Sequence, residues 1–330
     1  MLCDYLNNNP CLITKELMDS VTNDGGLPEE TVYFALLVGF CGLDTEKEER
    51  DRQLANDYFR KAIKKLDPQP YIQNAYYQNI RIPKVRFGNW ELSYEKYEAY
   101  EAFIYNDLLV ETDFKEIPRI GFFNDEFRFP AVMENSLEWM AIKPNEIETM
   151  QPVIDSVEGK VVTFGLGLGY FTYMVSLKQN VQNITVVERD DAVIQLFERY
   201  ILPQFQHKEK VRIVSAHAFE YVAKQMPDMN FNYAFVDLWH DVSDGLGLYL
   251  KMRKMEYLCR QTRFLYWIEE SLLSGFRWQL FDWITKNARS YDEIVKCLRT
   301  PFLKKLATIK TRFNILDYDT AAWSTTEHKL

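Results

Sequence analysis

From Lys160 onward, short apolar runs alternate with amphipathic stretches. "KVVTFGL", "NITVVERD", "KVRIVSAH", "NYAFVDLWH" and "RFLYWIEES" are rich in β-branched and aromatic residues and read as strands. Between them, "YFTYMVSLKQ", "AVIQLFERYILPQ", "AFEYVAKQM" and "GLYLKMRKMEYLCRQ" carry a helical period. This alternation predicts an α/β domain with a doubly wound, mostly parallel sheet covered on both faces. Upstream, "PEETVYFALLVGF" opens on a proline and two glutamates that suit a helix N-terminus. "DRQLANDYFRKAIKKL" continues helically until Asp67 and Pro68. "NWELSYEKYEAYEAFIYNDLL" spaces its aromatics by three and four among charges, the pattern of an amphipathic helix. Between Ile117 and Ile142 the segments become short and mixed, with Asn124-Asp125 and Pro130 placed as hairpin turns. "KPNEIETMQPVIDSV" then predicts a helix with Asn145 as N-cap and Glu146 and Glu148 in its first turn. After Ser271 comes one more helical stretch, "GFRWQLFDWITKNA". The expected organisation is a helical N-terminal region (1–112), a small β connector (113–143), an α/β domain (144–275) and a C-terminal helical extension (276–330).

Composition narrows the function. With 330 residues, 47% of them hydrophobic, the chain can build a large core, and its length predicts more than one part. A formal net charge of -9 argues against a surface that neutralises long nucleic acid. Cys3, Cys11, Cys41, Cys259 and Cys297 form no C-x-x-C pair, so reduced thiols in a cytoplasmic protein are expected. The N-terminus lacks the basic start and apolar run of a signal peptide, and the apolar run from Tyr33 falls short of a bilayer span.

Three glycines, Gly165, Gly167 and Gly169, stand where a strand should end and a helix begin. That is where an α/β sheet turns backbone amides toward a ligand. The spacing is G-x-G-x-G, and Tyr170 fills the position of the third glycine of a dinucleotide fingerprint. A bulky side chain there disfavours a pyrophosphate, and no Gly-Lys-Ser/Thr follows for a P-loop.

Taken in order, "VVTFGLGLGYFT", "ITVVERDDAVIQLF" and "NYAFVDLWHD" resemble successive motifs of class I S-adenosylmethionine-dependent methyltransferases, over roughly Lys160 to Ser271. The resemblance implies S-adenosylmethionine as cofactor. It places Gly165, Leu166, Gly167 and Gly169 around the amino-acid part of the cofactor, with the backbone near Leu166 and Leu168 along its edge. Glu188 would accept the two ribose hydroxyls, for which an ionised carboxylate supplies acceptors. Arg189 would lie along the adenine or point to water. His217 stands where many members carry an acidic or amide group near the adenine amine; it either accepts from adenine or caps the following helix, and backbone at Ala218 could do the adenine work alone.

Asp237 would end the fourth strand beside the reacting centre, able to hold the cofactor's ammonium group or to orient an acceptor. His240 and Asp241 follow within one turn as candidate bases. "VDLWHD" is also similar to the segment of catechol-type methyltransferases that binds magnesium, with Glu269 and Glu270 as further oxygens, but two glutamates replace that family's Asp-Asn pair, and no metal is expected. Spermidine synthases share the implied fold, so aminopropyl transfer stays open beside methyl transfer to a small-molecule acceptor, as does a non-catalytic scaffold role. Phe122, Phe123, Phe127, Phe129 and Trp139 either line an acceptor pocket or form core.

Overall fold

The computed structural model describes residues 6, 8–22, 26–112 and 115–287. Met1–Val110 and Glu116–Leu273 form one compact unit, while Glu111–Lys115 and Ser274–Leu330 belong to a second. Of the expected C-terminal extension, everything from residue 288 lies outside the described residues.

The first unit opens with helices α1 (Lys15–Thr22) and α2 (Glu29–Phe40). Helix α3 (Glu49–Leu54) runs through a π-helical turn at Ala55–Phe59 into Arg60–Ala62. The last residues of the predicted helix instead form strand β1 (Ile63–Lys65). Two short helices, α4 (Gln69–Ile72) and α5 (Ala75–Asn79), follow.

Next comes the largest departure from the sequence pattern. The segment expected as an aromatic helix is two strands, β3 (Trp90–Tyr97) and β4 (Phe103–Val110), preceded by β2 (Val85–Phe87). The helix-like spacing of Tyr94, Tyr97, Tyr100 and Phe103 comes from a chain reversal at Tyr100, whose φ is 63°. That reversal folds Phe103 back onto Tyr97, with ring centroids 4.0 Å apart. Such aromatic-rich sequence suits a pleated, half-buried surface.

Strands β5 (Glu116–Phe122), β6 (Phe127–Glu134) and β7 (Leu137–Ala141) complete two small sheets, β1-β5-β4 and β2-β3-β6-β7. The bend at Asn124-Asp125 therefore passes the chain from one sheet to the other and makes no hairpin. Pro130 is no turn either: it lies within β6, opposite Tyr94, where its carbonyl accepts from Ile142 N–H at 2.9 Å. Phe122, Phe123, Phe127 and Phe129 are all buried and form core, with Phe123 and Phe127 4.6 Å apart. Trp139 is exposed.

Helix α6 (Pro144–Ser156) begins after Lys143 as N-cap, with Pro144 at its first position, so Asn145 is already inside the helix and not its cap. Beyond it the expected α/β domain is present. Strands β8 (Gly159–Phe164), β9 (Val181–Glu188), β10 (Val211–Ser215), β11 (Tyr233–Val236) and β12 (Arg263–Tyr266) form one parallel sheet in the order β10-β9-β8-β11-β12. The strand order runs one way from β8 and the other way from β11, which puts the switch point between β8 and β11. Residues Val161–Phe164 are fully buried, as strands covered on both faces require. Helices α7 (Tyr170–Ser176), α8 (Asp191–Leu196), α9 (Ala218–Lys224) and α10 (Val242–Arg253) connect the strands. Helix α11 (Glu269–Asn287) follows β12. Among the described residues no helix is long and apolar enough to cross a membrane.

Candidate functional site

The glycine segment lies between β8 and α7, at the switch point. All three glycines have positive φ: 99° at Gly165, 50° at Gly167 and 71° at Gly169. Each also has a neighbour that a side chain would strike. A Cβ on Gly165 would fall 2.0 Å from the Asp237 carbonyl oxygen, one on Gly169 would fall 2.3 Å from the Phe197 ring, and one on Gly167 would fall 1.9 Å from the Met140 sulfur. Two of these glycines thus serve packing inside the protein. Gly167 differs, because what lies over it is the far end of a flexible thioether, which can move aside.

Glu188 closes the other side of the turn. Its carboxylate accepts from Leu166 N–H at 3.1 Å, from Arg189 N–H at 2.7 Å and from Asp190 N–H at 2.9 Å. The side chain therefore ties the glycine segment to the end of β9. These amides occupy three of the roughly four acceptor positions of a carboxylate. Arg189 is itself exposed.

Asp237 follows β11 directly, and its amide donates to the Phe164 carbonyl at 2.9 Å. Burial raises its carboxyl, and the negative charge of Glu188 adds to this, bringing it to about 7. A third acid shares this ground. Glu146, in the first turn of α6, is 6% exposed, and among the described residues its carboxyl has no hydrogen-bond partner. Burial, then the neighbouring Asp237, holds it well above the usual carboxylate range, against the opposing pull of Lys143. Three carboxyl groups, from α6, β9 and β11, are thus gathered at the switch point.

The sequence pattern named Glu188 and Asp237 but missed Glu146. Its signal was present: Glu146, Met150 and Ile154 recur at helical spacing, and all three are buried. An acid on the apolar stripe of the helix leading into the glycine strand marks a group held inside for a reason.

The other candidates do different work. Asp241 is the N-cap of α10; it accepts from Ser243 N–H at 2.6 Å and takes part in a reciprocal capping box with Asp244. The hydrogen bond from the Ser243 side chain is the main reason its carboxyl is lowered, which makes it a weak base. His240 is exposed; its amide donates to Asp244 at 3.1 Å, and its ring lies 6.0 Å from that of Trp139. His217 is the N-cap residue of α9, but its side chain makes no capping hydrogen bond; the ring is exposed and lies 5.6 Å from Phe219. Ala218 is the first residue of that helix and is buried. Glu269, weighed as a metal ligand, accepts from the Tyr249 hydroxyl at 2.7 Å.

Strand β7 covers the site from the small sheet, bringing Met140 over Gly167 and Trp139 beside His240. Past Asp237, Trp239 stacks on Tyr266 and is buried, and its Nε1 donor has no partner among the described residues. At the end of β12, Ile268 has a φ of 46°, a costly conformation for a β-branched residue. It is fixed on both sides: Trp267 Nε1 donates to Thr149 Oγ1 at 2.9 Å, and Asp107 of β4 accepts from Glu270 and Ser271 N–H at 3.0 Å.

No protein-family model matches the chain, and no curated protein matches it. Among solved structures it is similar to a spermidine synthase in complex with the transition-state analogue AdoDATO (18% identity, 34% of this chain, 43% of that chain, TM-score 0.28). It is also similar to the spermidine synthase from Thermotoga maritima (17%, 38% of this chain, 48% of that chain, TM-score 0.28). A third is a putative O-methyltransferase from Klebsiella pneumoniae (16%, 45% of this chain, 60% of that chain, TM-score 0.27). The matched part spans less than two thirds of each neighbour, and at such scores these likenesses carry no weight for the site. The fold rests on the chain itself: an α/β protein whose five-stranded parallel sheet is doubly wound, with a glycine turn and three acids at its switch point.

Proposed function

We propose that this chain binds S-adenosylmethionine at the switch point of its parallel sheet and transfers the methyl group to a small-molecule acceptor. The observation that carries the reading is the buried acid Glu146 gathered beside Asp237: burial, then Asp237, raises the one carboxyl, and burial, then Glu188, raises the other. Acids crowded together and drawn out of water are costly to ionise, and a cation among them removes part of that cost. S-adenosylmethionine carries a sulfonium and an ammonium group beside one carboxylate, a net charge of +1, so its two cationic centres fit a site of gathered acids. When bound, the cofactor supplies a methyl group activated on positively charged sulfur.

The chain's own residues do the rest. Gly167 leaves main chain open once Met140 swings away. Glu188, already oriented by three amides, would accept from one ribose hydroxyl with its remaining acceptor position. Glu146 and Asp237 would face the positive charge. Asp237, with its carboxyl near neutrality, is suited to take the proton that an acceptor hydroxyl or amine loses. His240 at the exposed edge is the second candidate for that role, whereas Asp241 is committed to its helix.

A second reading, aminopropyl transfer from decarboxylated S-adenosylmethionine, is favoured by the same acids, since an amine acceptor needs carboxylates around it. Calorimetry and thermal shift against S-adenosylmethionine, its demethylated product, the decarboxylated form and NAD separate the readings. Stabilisation by the first two supports methyl transfer, and by the third alone, aminopropyl transfer. Occupancy a hundredfold above the dissociation constant is worth about 2.7 kcal/mol, well within reach of the assay. If none of the sulfonium ligands shifts the melting temperature, the cofactor reading fails and a scaffold role takes its place.

A further inference from the structure

A cavity of 320 Å³ lies away from the three acids, where α5 and the chain after it meet the small sheet. Its lining includes Tyr76, Tyr77, Arg81, Tyr94, Arg128 and Pro130. Two of the rings have their hydroxyls committed to backbone: Tyr76 donates to the Leu168 carbonyl at 2.6 Å, and Tyr77 donates to that of Ile142. They therefore present carbon to the cavity, and Pro130 adds to the apolar wall. Tyr94, 40% exposed, keeps a hydroxyl that can still donate; it accepts from Ile82 N–H at 3.3 Å.

The charged groups are arginines alone. Arg81 is anchored through its main chain, because the Gln204 amide both accepts from its N–H and donates to its carbonyl, each at 2.9 Å. Its Nη1 donates to backbone carbonyls of Tyr77 and Ile80, which leaves Nε and Nη2 for another acceptor. Arg128 makes no hydrogen bond among the described residues, and the carboxylate that feels its charge, Glu126, is held by Lys96 at 2.7 Å. The acids nearest to it along the sheet are already taken: Lys96, opposite Arg128 in the β3–β6 pairing, binds Glu98 at 2.8 Å and Glu126 at 2.7 Å. In a chain of net charge -9, two guanidinium groups line one aromatic-walled cavity whose lining contains no carboxylate.

We infer that this cavity is a binding site for a small aromatic carboxylate, with its ring between the tyrosines and its anion on Arg81 and Arg128. Planar guanidinium groups match a carboxylate in two-point contact, and aromatic walls take a flat ring. A volume near the lower end of the roughly 300–1,000 Å³ usual for small-molecule sites fits a single ring better than a nucleotide. The site does not depend on the cofactor reading, although Tyr76 joins its wall to the glycine segment through Leu168.

The test is fluorine NMR of 4-fluorobenzoate with the full chain. Line broadening that saturates at micromolar to millimolar ligand is expected, with at least a roughly tenfold weaker dissociation constant in Arg128→Gln and in Arg81→Gln. Arg128 is exposed and makes no hydrogen bond among the described residues, so its variant should melt as the parent does, which the same samples report. Equal binding of 4-fluorobenzylamine, displacement of the probe by inorganic phosphate at the probe's own affinity, or parental affinity in the double arginine variant would each overturn the inference. So would an absence of broadening at millimolar 4-fluorobenzoate.

Discussion

Replacing Asp237 with asparagine should make the protein more stable at alkaline pH. An ordinary aspartate titrates at 3.8, and in the fold this one titrates at about 7. Between those values the folded state holds a proton that the unfolded chain has released, so stability falls as pH rises from about 4 to 7. The gap corresponds to a ceiling of roughly 4 kcal/mol. Asp237 is half-buried and keeps some contact with water, so the expected loss is about 1–2 kcal/mol. Asparagine keeps the shape and has no proton to release. Melting curves of parent and Asp237→Asn should nearly coincide at pH 4.5 and separate by about 2–8 °C in favour of the variant at pH 8. Equal offsets at both pH values, or a variant that melts lower at pH 8, would refute the argument that this carboxylate is held against its preference.

Three further outcomes follow from the same geometry. Gly165→Ala places a methyl group against the Asp237 carbonyl at a φ of 99° and should cost about 2 kcal/mol or more in a denaturant titration; Gly167→Ala, facing only the movable Met140, should cost about half that. Met140→Ala should tighten S-adenosylmethionine binding measured by calorimetry, since the ligand no longer has to displace a side chain; unchanged affinity would place the ligand elsewhere. Asp241→Ala should lose a helix cap worth about 1 kcal/mol at neutral pH. Because the Asp241 carboxyl is lowered in the fold, its contribution is present above the unfolded value near 3.8 and fades as pH falls through the folded one, so parent and variant should converge in strongly acid urea titrations.

The parallel sheet was legible because its strands are buried on both faces and cannot be mistaken for anything else once helices alternate with them. Glycines at 165, 167 and 169 marked the switch point correctly, yet their reasons differ. Gly165 and Gly169 make room for protein atoms, a fact set by Asp237 and Phe197, which are remote in sequence. The strands at Trp90–Val110 were misread because Tyr94, Tyr97, Tyr100 and Phe103 repeat at helical spacing, and nothing local announces that Tyr100 turns the chain back. Asp241 carried its capping signature openly, with Asp244 three residues on, but proximity to Asp237 drew a catalytic reading onto it. Glu146 was passed over for the opposite reason: an acid in a first helical turn has an ordinary explanation, which masked its place on the same stripe as Met150 and Ile154.

Asp107 gives the chain a dependency that its linear order conceals. The amides that start α11 are satisfied by a carboxylate contributed some 160 positions earlier, from a strand of the small sheets. A fragment beginning at residue 144 would keep every strand of the parallel sheet yet begin that helix with bare donors, and it would also lack the Tyr76 hydroxyl under Leu168. The parallel-sheet half of this protein is therefore not a module to be excised, and shuffling it onto other partners would require carrying the preceding sheets along.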